Sequence, residues 1–313
     1  MAFPILGLHH VTATVDGAQE DLDFAKRALG MRLVKKTVNF DNRGVYHFYY
    51  GDERGTPGTL WTTFPYRLLR VPPGIKGAGQ ITVTSLSVPA GSLDAWKKRL
   101  RDLGYTVADA PPRFGEESVI VTDPSGLNIE LVASKSDARA PWVTNDVGAD
   151  LAVRGIHSVT LDVANPEPTL AFMREWFGVE VADEMEGRRR VSVGGSGPGK
   201  SVDILTSPDG MRAKNGVGTV HHVAFAIADG KQQLEIREAL LKRGIQVTPV
   251  MDRSYFTSIY FREPGGVLFE VATMGPGFLT DEPAEQLGRG LKLPPWEEVN
   301  RADIESALPP IRV

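Results

Sequence analysis

A repeat restricts the possible folds of this chain more than any other feature. Pro124-x-Gly126-x-x-x-Glu130 and Pro264-x-Gly266-x-x-x-Glu270 match position for position. In both copies a turn separates two apolar, alternating runs, Asp123-Pro124-Ser125-Gly126 between 119–122 and 127–132, and Glu263-Pro264-Gly265-Gly266 between 259–262 and 267–272. Such runs about a tight turn read as hairpins. Upstream of each lies a strand-like segment (81–88 and 221–227) and then an amphipathic helix, 93–103 stopped by Gly104 and 234–242 stopped by Gly244. A second pair of segments repeats the same opening. Strands at 8–13 and 156–163 precede helices at 19–29 and 168–177, and Leu22-x-Phe24 stands before Gly30 as Leu170-x-Phe172 stands before Gly178. Strand-like sequence follows each, at 46–50 and 59–63 and at 190–193 and 202–205.

The chain therefore reads as an α+β protein of four strand–helix–three-strand (βαβββ) modules, at about 7–65, 79–133, 154–206 and 219–273. These predict an N-terminal half over 1–136, a polar linker over 137–152, a C-terminal half over 153–275 and a tail over 276–313. The tail carries Pro294-Pro295-Trp296 and a short helix at 301–307. A length of 313 residues fits about two domains, and 42% hydrophobic residues are enough to bury a core, which excludes global disorder.

Charge and cysteine usage remove several function classes. The net charge is -4, so no basic surface for nucleic acid or anionic membrane is expected. No apolar run approaches the ~20 residues of a membrane helix, and the opening residues lack a secretory signal, which leads us to expect a cytoplasmic protein. Cysteine is absent, which rules out disulfides, thiolate ligands, iron–sulfur clusters and cysteine nucleophiles. A metal must then be held by His, Asp and Glu, and there are 6 histidines.

Five of those 6 histidines fall on module-opening strands: His9 and His10, His157, and His221 and His222; the sixth, His47, reads as structural or as a pocket wall. Strands alternate faces, so only one of two adjacent histidines is expected to face a shared interior. His10 shares a face with Leu8 and Thr12, and His222 with Ala224 and Ala226, small residues that leave room for a metal and a ligand. Glu270 lies amid Leu268-Phe269-Glu270-Val271-Ala272, and a buried charge needs a partner or a metal. Two imidazoles and one carboxylate form the ligand set of non-haem Fe(II) oxygenases. Spacing leaves two ligand sets open. Module one packed on module four gives His10, His222 and Glu270, whereas modules three and four paired in chain order give His157, His222 and Glu270. Glu130 and His157 are expected to mark a vestigial, metal-free pocket.

Several longer motifs carry a resemblance. Leu8-His9-His10-Val11-Thr12, Val34-Lys35-Lys36-Thr37-Val38-Asn39-Phe40-Asp41, Tyr46-His47-Phe48-Tyr49-Tyr50-Gly51-Asp52-Glu53 and Pro57-Gly58-Thr59 are four of them. Val220-His221-His222, Asp252-Arg253-Ser254-Tyr255-Phe256, Tyr260-Phe261-Arg262-Glu263-Pro264-Gly265-Gly266 and Leu291-Lys292-Leu293-Pro294-Pro295-Trp296 complete the set. With the four-module layout, they resemble the vicinal oxygen chelate superfamily, and within it the hydroquinone-type ring-cleaving dioxygenases. The resemblance runs from residue 7 into the tail.

It implies two domains with curved, mixed sheets around a metal cavity. It also implies an Fe(II) enzyme, with Mn(II) as an alternative ion, that opens a dihydroxybenzene ring with O2 to a muconic semialdehyde-type product. It places the metal on His10, His222 and Glu270, with His9, Thr12, His221, Arg253 and Tyr260 around the metal and substrate. The implied partners are a small aromatic substrate and O2, in a chain that could form a homo-oligomer. Two other functions compete on this scaffold: a glyoxalase-like isomerase or lyase using Ni(II) or Zn(II), and a non-enzymatic protein that binds an aromatic ligand.

Overall fold

A computed structural model of the chain describes residues 2–313. Module one comprises β1 (Gly7–Val15), α1 (Ala18–Asp23), β2 (Arg32–Asn39), β3 (Asn42–Gly51) and β4 (Leu60–Pro65), with α1 passing into a π-helical turn over Phe24–Ala28. Module two comprises β5 (Gln80–Pro89), α2 (Leu93–Asp102), β6 (Val107–Asp109), β7 (Ser118–Thr122) and β8 (Asn128–Ser134). Module three comprises β9 (Gly155–Val163), α3 (Pro166–Phe177), β10 (Val181–Met185), β11 (Arg188–Ser192) and β12 (Ser201–Thr206). Module four comprises β13 (Thr219–Ile227), α4 (Gly230–Lys242), β14 (Met251–Asp252), β15 (Thr257–Arg262) and β16 (Leu268–Thr273). The tail holds short 3-10 turns and α5 (Arg301–Ala307).

The helix signals act locally. Asn165 caps α3 by accepting from the Glu167 N–H, and Asp229 caps α4 by accepting from the Gln232 N–H. Gly178 closes α3 at φ 65°, a left-handed conformation that suits glycine. No helix among the described residues is long and apolar enough to cross a membrane.

The strands form two eight-stranded mixed sheets, in the orders β14-β15-β16-β13-β1-β4-β3-β2 and β10-β11-β12-β9-β5-β8-β7-β6. Module one therefore shares a sheet with module four, and module two with module three, so each sheet draws on both halves of the chain. The opening strands meet at each centre, with β1 antiparallel to β13 and β5 antiparallel to β9. The four strands the sequence pattern did not locate, β2, β6, β10 and β14, are the four sheet edges. Short, polar edges carry little alternation to read: β10 is almost wholly exposed, and β14 has two residues.

The edge strand β2 is instead covered by the tail. Lys35 is fully buried, with Nζ 2.5 Å from Asp281, paired also with Glu282 and donating to the Phe278 carbonyl. Leu291 bridges to Lys36 beside it. This anchors the tail along the sheet that carries the site described next.

Candidate metal centre

β1 and β13 each carry one extra residue where they pair. Leu8 opposes Phe225 and His10 opposes Ala224, which leaves His9 unopposed; Thr12 opposes His222 and Ala13 opposes Val220, which leaves His221 unopposed. A bulge bends its strand and re-aims the side chain it carries. This corrects the expectation that adjacent histidines point to opposite faces. The Nδ1 atoms of His9 and His10 lie 2.9 Å apart, and those of His221 and His222 lie 2.8 Å apart. Each outer histidine so engages Nδ1 of its neighbour and leaves that neighbour's Nε2 turned inward.

The two inward Nε2 atoms, on His10 and His222, stand 3.2 Å apart. Glu270 on β16 brings Oε2 to 3.2 Å from His10 Nε2 and 2.8 Å from His222 Nε2. One ligand atom from each residue lies within 4.8 Å of the others, and all three residues are buried. Ser258 on β15 donates to Oε1 of Glu270, whereas Oε2 has no hydrogen-bond partner. An unpartnered buried carboxylate oxygen facing two imidazole nitrogens fits a divalent cation.

The electrostatics agree. Burial alone would raise the Glu270 pKa, but His10 and His222 beside it hold it well below the usual carboxylate range. Burial lowers the His222 pKa, and burial together with His10 and His222 respectively pushes His9 and His221 down to about 3. An ionised carboxylate beside the neutral His222 imidazole is the protonation state a metal requires.

A cavity of about 490 Å³ opens over this cluster. Its apolar walls include Phe40, Tyr49, Phe64, Met251, Phe256 and Leu268, and His221, Arg253 and Tyr260 also face it. Arg253 Nε donates to the Tyr260 hydroxyl at 3.0 Å, and its Nη2 to Asp41 at 3.0 Å. Burial and the Glu270 charge raise the Tyr260 pKa, so its phenol stays protonated. His9 and Thr12 lie behind the lining. His9 packs on Phe256 with ring centroids 4.8 Å apart, and the fully buried Thr12 places its hydroxyl 2.7 Å from that of Thr62.

Sequence reasoning did not single out Phe256, Thr62 or Ser258 as parts of the site. A signal for Ser258 exists in the repeat, since Ser118 precedes Glu130 by the same spacing and donates to it at 2.7 Å.

His157 lies on the other sheet and does not approach His222. It is the unopposed residue where Ser85–Ser158 pairing gives way to Leu86–Ile156, which makes it the counterpart of His9. By the same registers, Ser158 and Val83 stand where His10 and His222 stand in the first sheet. Glu130 keeps the place of Glu270, but Arg113 grips both its oxygens and Ser85 donates at 2.5 Å. Arg113 also reaches Asp203 at 3.1 Å, and His157 Nε2 sits 3.3 Å from Glu116. The second carboxylate is thus neutralised by a guanidinium. Arg113→Met is expected to destabilise the fold by about 3–5 kcal/mol, because it leaves Glu130 buried without a counter-charge, whereas Asp203 keeps Arg188 and Arg190. Urea unfolding measures this, and an unchanged midpoint would contradict it.

The profile of the Glyoxalase/Bleomycin resistance protein/Dioxygenase superfamily matches residues 7–131 and 155–271. MhqO of Bacillus subtilis (strain 168), provisionally named a ring-cleaving dioxygenase, is 42% identical over 316 residues, covering 100% of this chain and 99% of its own. The chlorohydroquinone/hydroquinone 1,2-dioxygenase of Sphingobium indicum is 39% identical, covering 93% of this chain and 92% of its own. A crystal structure of a provisionally named dioxygenase from Bacillus subtilis subsp. subtilis str. 168 superposes with a TM-score of 0.94 at 40% identity, over 100% of this chain and 99% of that one. Glyoxalase I from Zea mays shares the fold at a TM-score of 0.62 and 14% identity, over 87% of this chain and 92% of that one.

Proposed function

Because this chain belongs to the Glyoxalase/Bleomycin resistance protein/Dioxygenase superfamily, we propose that it is a ring-cleaving dioxygenase of 1,4-dihydroxybenzenes, with Fe(II) held by His10, His222 and Glu270. The observation that carries this reading is the convergence of two imidazoles on one unpartnered, buried carboxylate oxygen under an aromatic-walled cavity. The names of relatives that cover nearly the whole chain support it. A glyoxalase-like reaction with Ni(II) or Zn(II) usually recruits a second carboxylate. β4, which corresponds to the strand bearing Glu270, reads Leu-Trp-Thr-Thr-Phe-Pro and offers none.

Fe(II), or Mn(II) in its place, held by His10, His222 and Glu270, would supply Lewis acidity and the one-electron chemistry that joins O2 to an aromatic ring. The protein's own groups do the rest. Phe40, Phe64 and Phe256 enclose an aromatic ring and keep water from it. Arg253 is placed to hold a deprotonated ring hydroxyl by a charge-assisted contact. The Tyr260 phenol and the neutral His221 imidazole both face the cavity, and each is able to move a proton to or from the substrate. Opening the ring between a hydroxylated carbon and its neighbour would yield a muconic semialdehyde-type product.

The test is anaerobic loading with Fe(II), followed by O2 uptake with hydroquinone and catechol side by side. We expect one tightly bound metal per chain and faster uptake with hydroquinone. Absence of Fe(II)-dependent uptake, or activity with Ni(II) alone, would sink the dioxygenase reading.

A further inference from the structure

The metal triad and its neighbours account for five module-opening histidines, or for their repeat counterparts. His47, on β3, is left over. A 1,4-dihydroxybenzene carries its hydroxyls at opposite ends of the ring. A site that fixes one hydroxyl near His10, His222 and Glu270 therefore meets the other across the full width of the ring, where a catechol presents nothing.

Most polar groups on the cavity wall are already engaged with one another. Asn39 donates to the Tyr66 hydroxyl at 3.1 Å and accepts from the Asp41 N–H at 2.9 Å. Thr248 Oγ1 accepts from the Tyr260 N–H at 3.0 Å, and Arg253 spans Tyr260 and Asp41. Two imidazoles and the Tyr49 phenol remain, and Tyr49 lies on the same row across the sheet as the ligand His222. His221 is held against His222 and so stands at the metal end.

His47 stands further out. Thr12 pairs with both His222 and Thr62, and Thr62 with Tyr49, so these four residues form one row across the sheet. His10, which shares its row with Ala224 and through it Glu270, lies two residues to one side of that row. His47 lies two residues to the other side along β3, a distance of about 6.8 Å. Its ring faces the cavity between Tyr49, with centroids 4.0 Å apart, and Phe64, with centroids 4.3 Å apart. Its Nε2 lies 3.0 Å from Thr62 Oγ1, which in turn lies 2.7 Å from Thr12 Oγ1. Two aromatic neighbours and a pair of threonine hydroxyls thus fix the plane of the ring, while Nδ1 has no protein partner among the described residues. Burial, and after it the nearby His10, lower the His47 pKa, so the ring is neutral and one of its nitrogens carries the proton.

We propose that His47 is the positioning residue that hydrogen-bonds the far hydroxyl of the substrate and so selects para- over ortho-dihydroxybenzenes, an inference resting on the ring-cleavage reading above. Its position in the cavity also accounts for a histidine on β3, away from the strands that supply the triad.

The test compares anaerobic binding of hydroquinone and phenol to the metal-loaded protein by calorimetry. Phenol lacks only the far hydroxyl. Wild-type protein is expected to prefer hydroquinone by about 5- to 10-fold, the value of one buried hydrogen bond. His47→Phe is expected to erase that preference while leaving phenol affinity within about twofold. His47→Gln, which keeps a hydrogen-bonding group, is expected to restore part of it. Equal weakening of both ligands in His47→Phe, or a preference that survives it, would overturn the assignment. O2 uptake with hydroquinone by the wild type separates the two levels: if uptake occurs and the preference survives, only the role of His47 fails. If no hydroquinone supports uptake, the ring-cleavage reading fails and the His47 role fails with it.

Discussion

Glu270→Ala is expected to fold and to keep neither metal nor turnover. The carboxylate supplies the negative charge of the cluster, and its Oε2 is the atom on which both imidazoles converge. Its removal takes one of three ligands from an open site and lets the remaining two drift, so metal affinity should fall by more than about 100-fold, beyond the effect of losing a supporting contact. The fold should survive, because in metal-free protein a fully buried carboxylate is itself costly to desolvate. His10→Ala and His222→Ala should behave alike. His157→Ala is the control, since His157 lies on the second sheet beside Glu116. It should retain both metal and turnover. Metal analysis together with O2 uptake reads all four variants. Loss of metal in His157→Ala with retention in His10→Ala would reverse the ligand assignment.

Tyr260→Phe is expected to keep its metal and slow turnover by about 10²- to 10⁴-fold, the usual worth of general acid–base assistance. The change removes one hydroxyl and almost no volume, so packing against His222, with ring centroids 5.6 Å apart, is preserved. Arg253→Ala should instead raise KM, with a smaller effect on kcat, because a charge-assisted contact to a phenolate is lost. The hydrogen bond between Arg253 Nε and the Tyr260 hydroxyl makes the two effects non-additive, so the double variant should be less impaired than the product of the singles. Steady-state O2 uptake on iron-loaded protein decides this. Wild-type kinetics in both single variants would mean that neither residue handles the substrate.

The order of elements was legible because its signals are local. The Pro-x-Gly-x-x-x-Glu hairpins, the glycine stops at Gly104, Gly178 and Gly244, and the alternation of β1, β5, β9 and β13 each depend on a few neighbouring residues. A repeat of such signals marks four modules, and an isolated carboxylate within an apolar strand marks Glu270 as a group that needs a partner. Which histidines could meet Glu270 was not local. Spacing alone left His10 and His157 level, and the pairing of module one with module four brings His10 to the carboxylate and places His157 on the other sheet.

The bulges at His9 and His221 were also beyond reach of the sequence. An extra residue exists only relative to a partner strand, and simple alternation therefore misdirected each histidine pair. The edge strands β6, β10 and β14 escaped notice because they are short and mostly exposed, whereas β2 is buried on both faces by the tail and so shows no alternation. The fate of Glu130 depended on Arg113, 17 residues away in the chain, folding back onto it. Sequence periodicity records how each segment meets the core, whereas the ligand set brings His10 to residues more than two hundred positions away, which only the register of the packed strands decides.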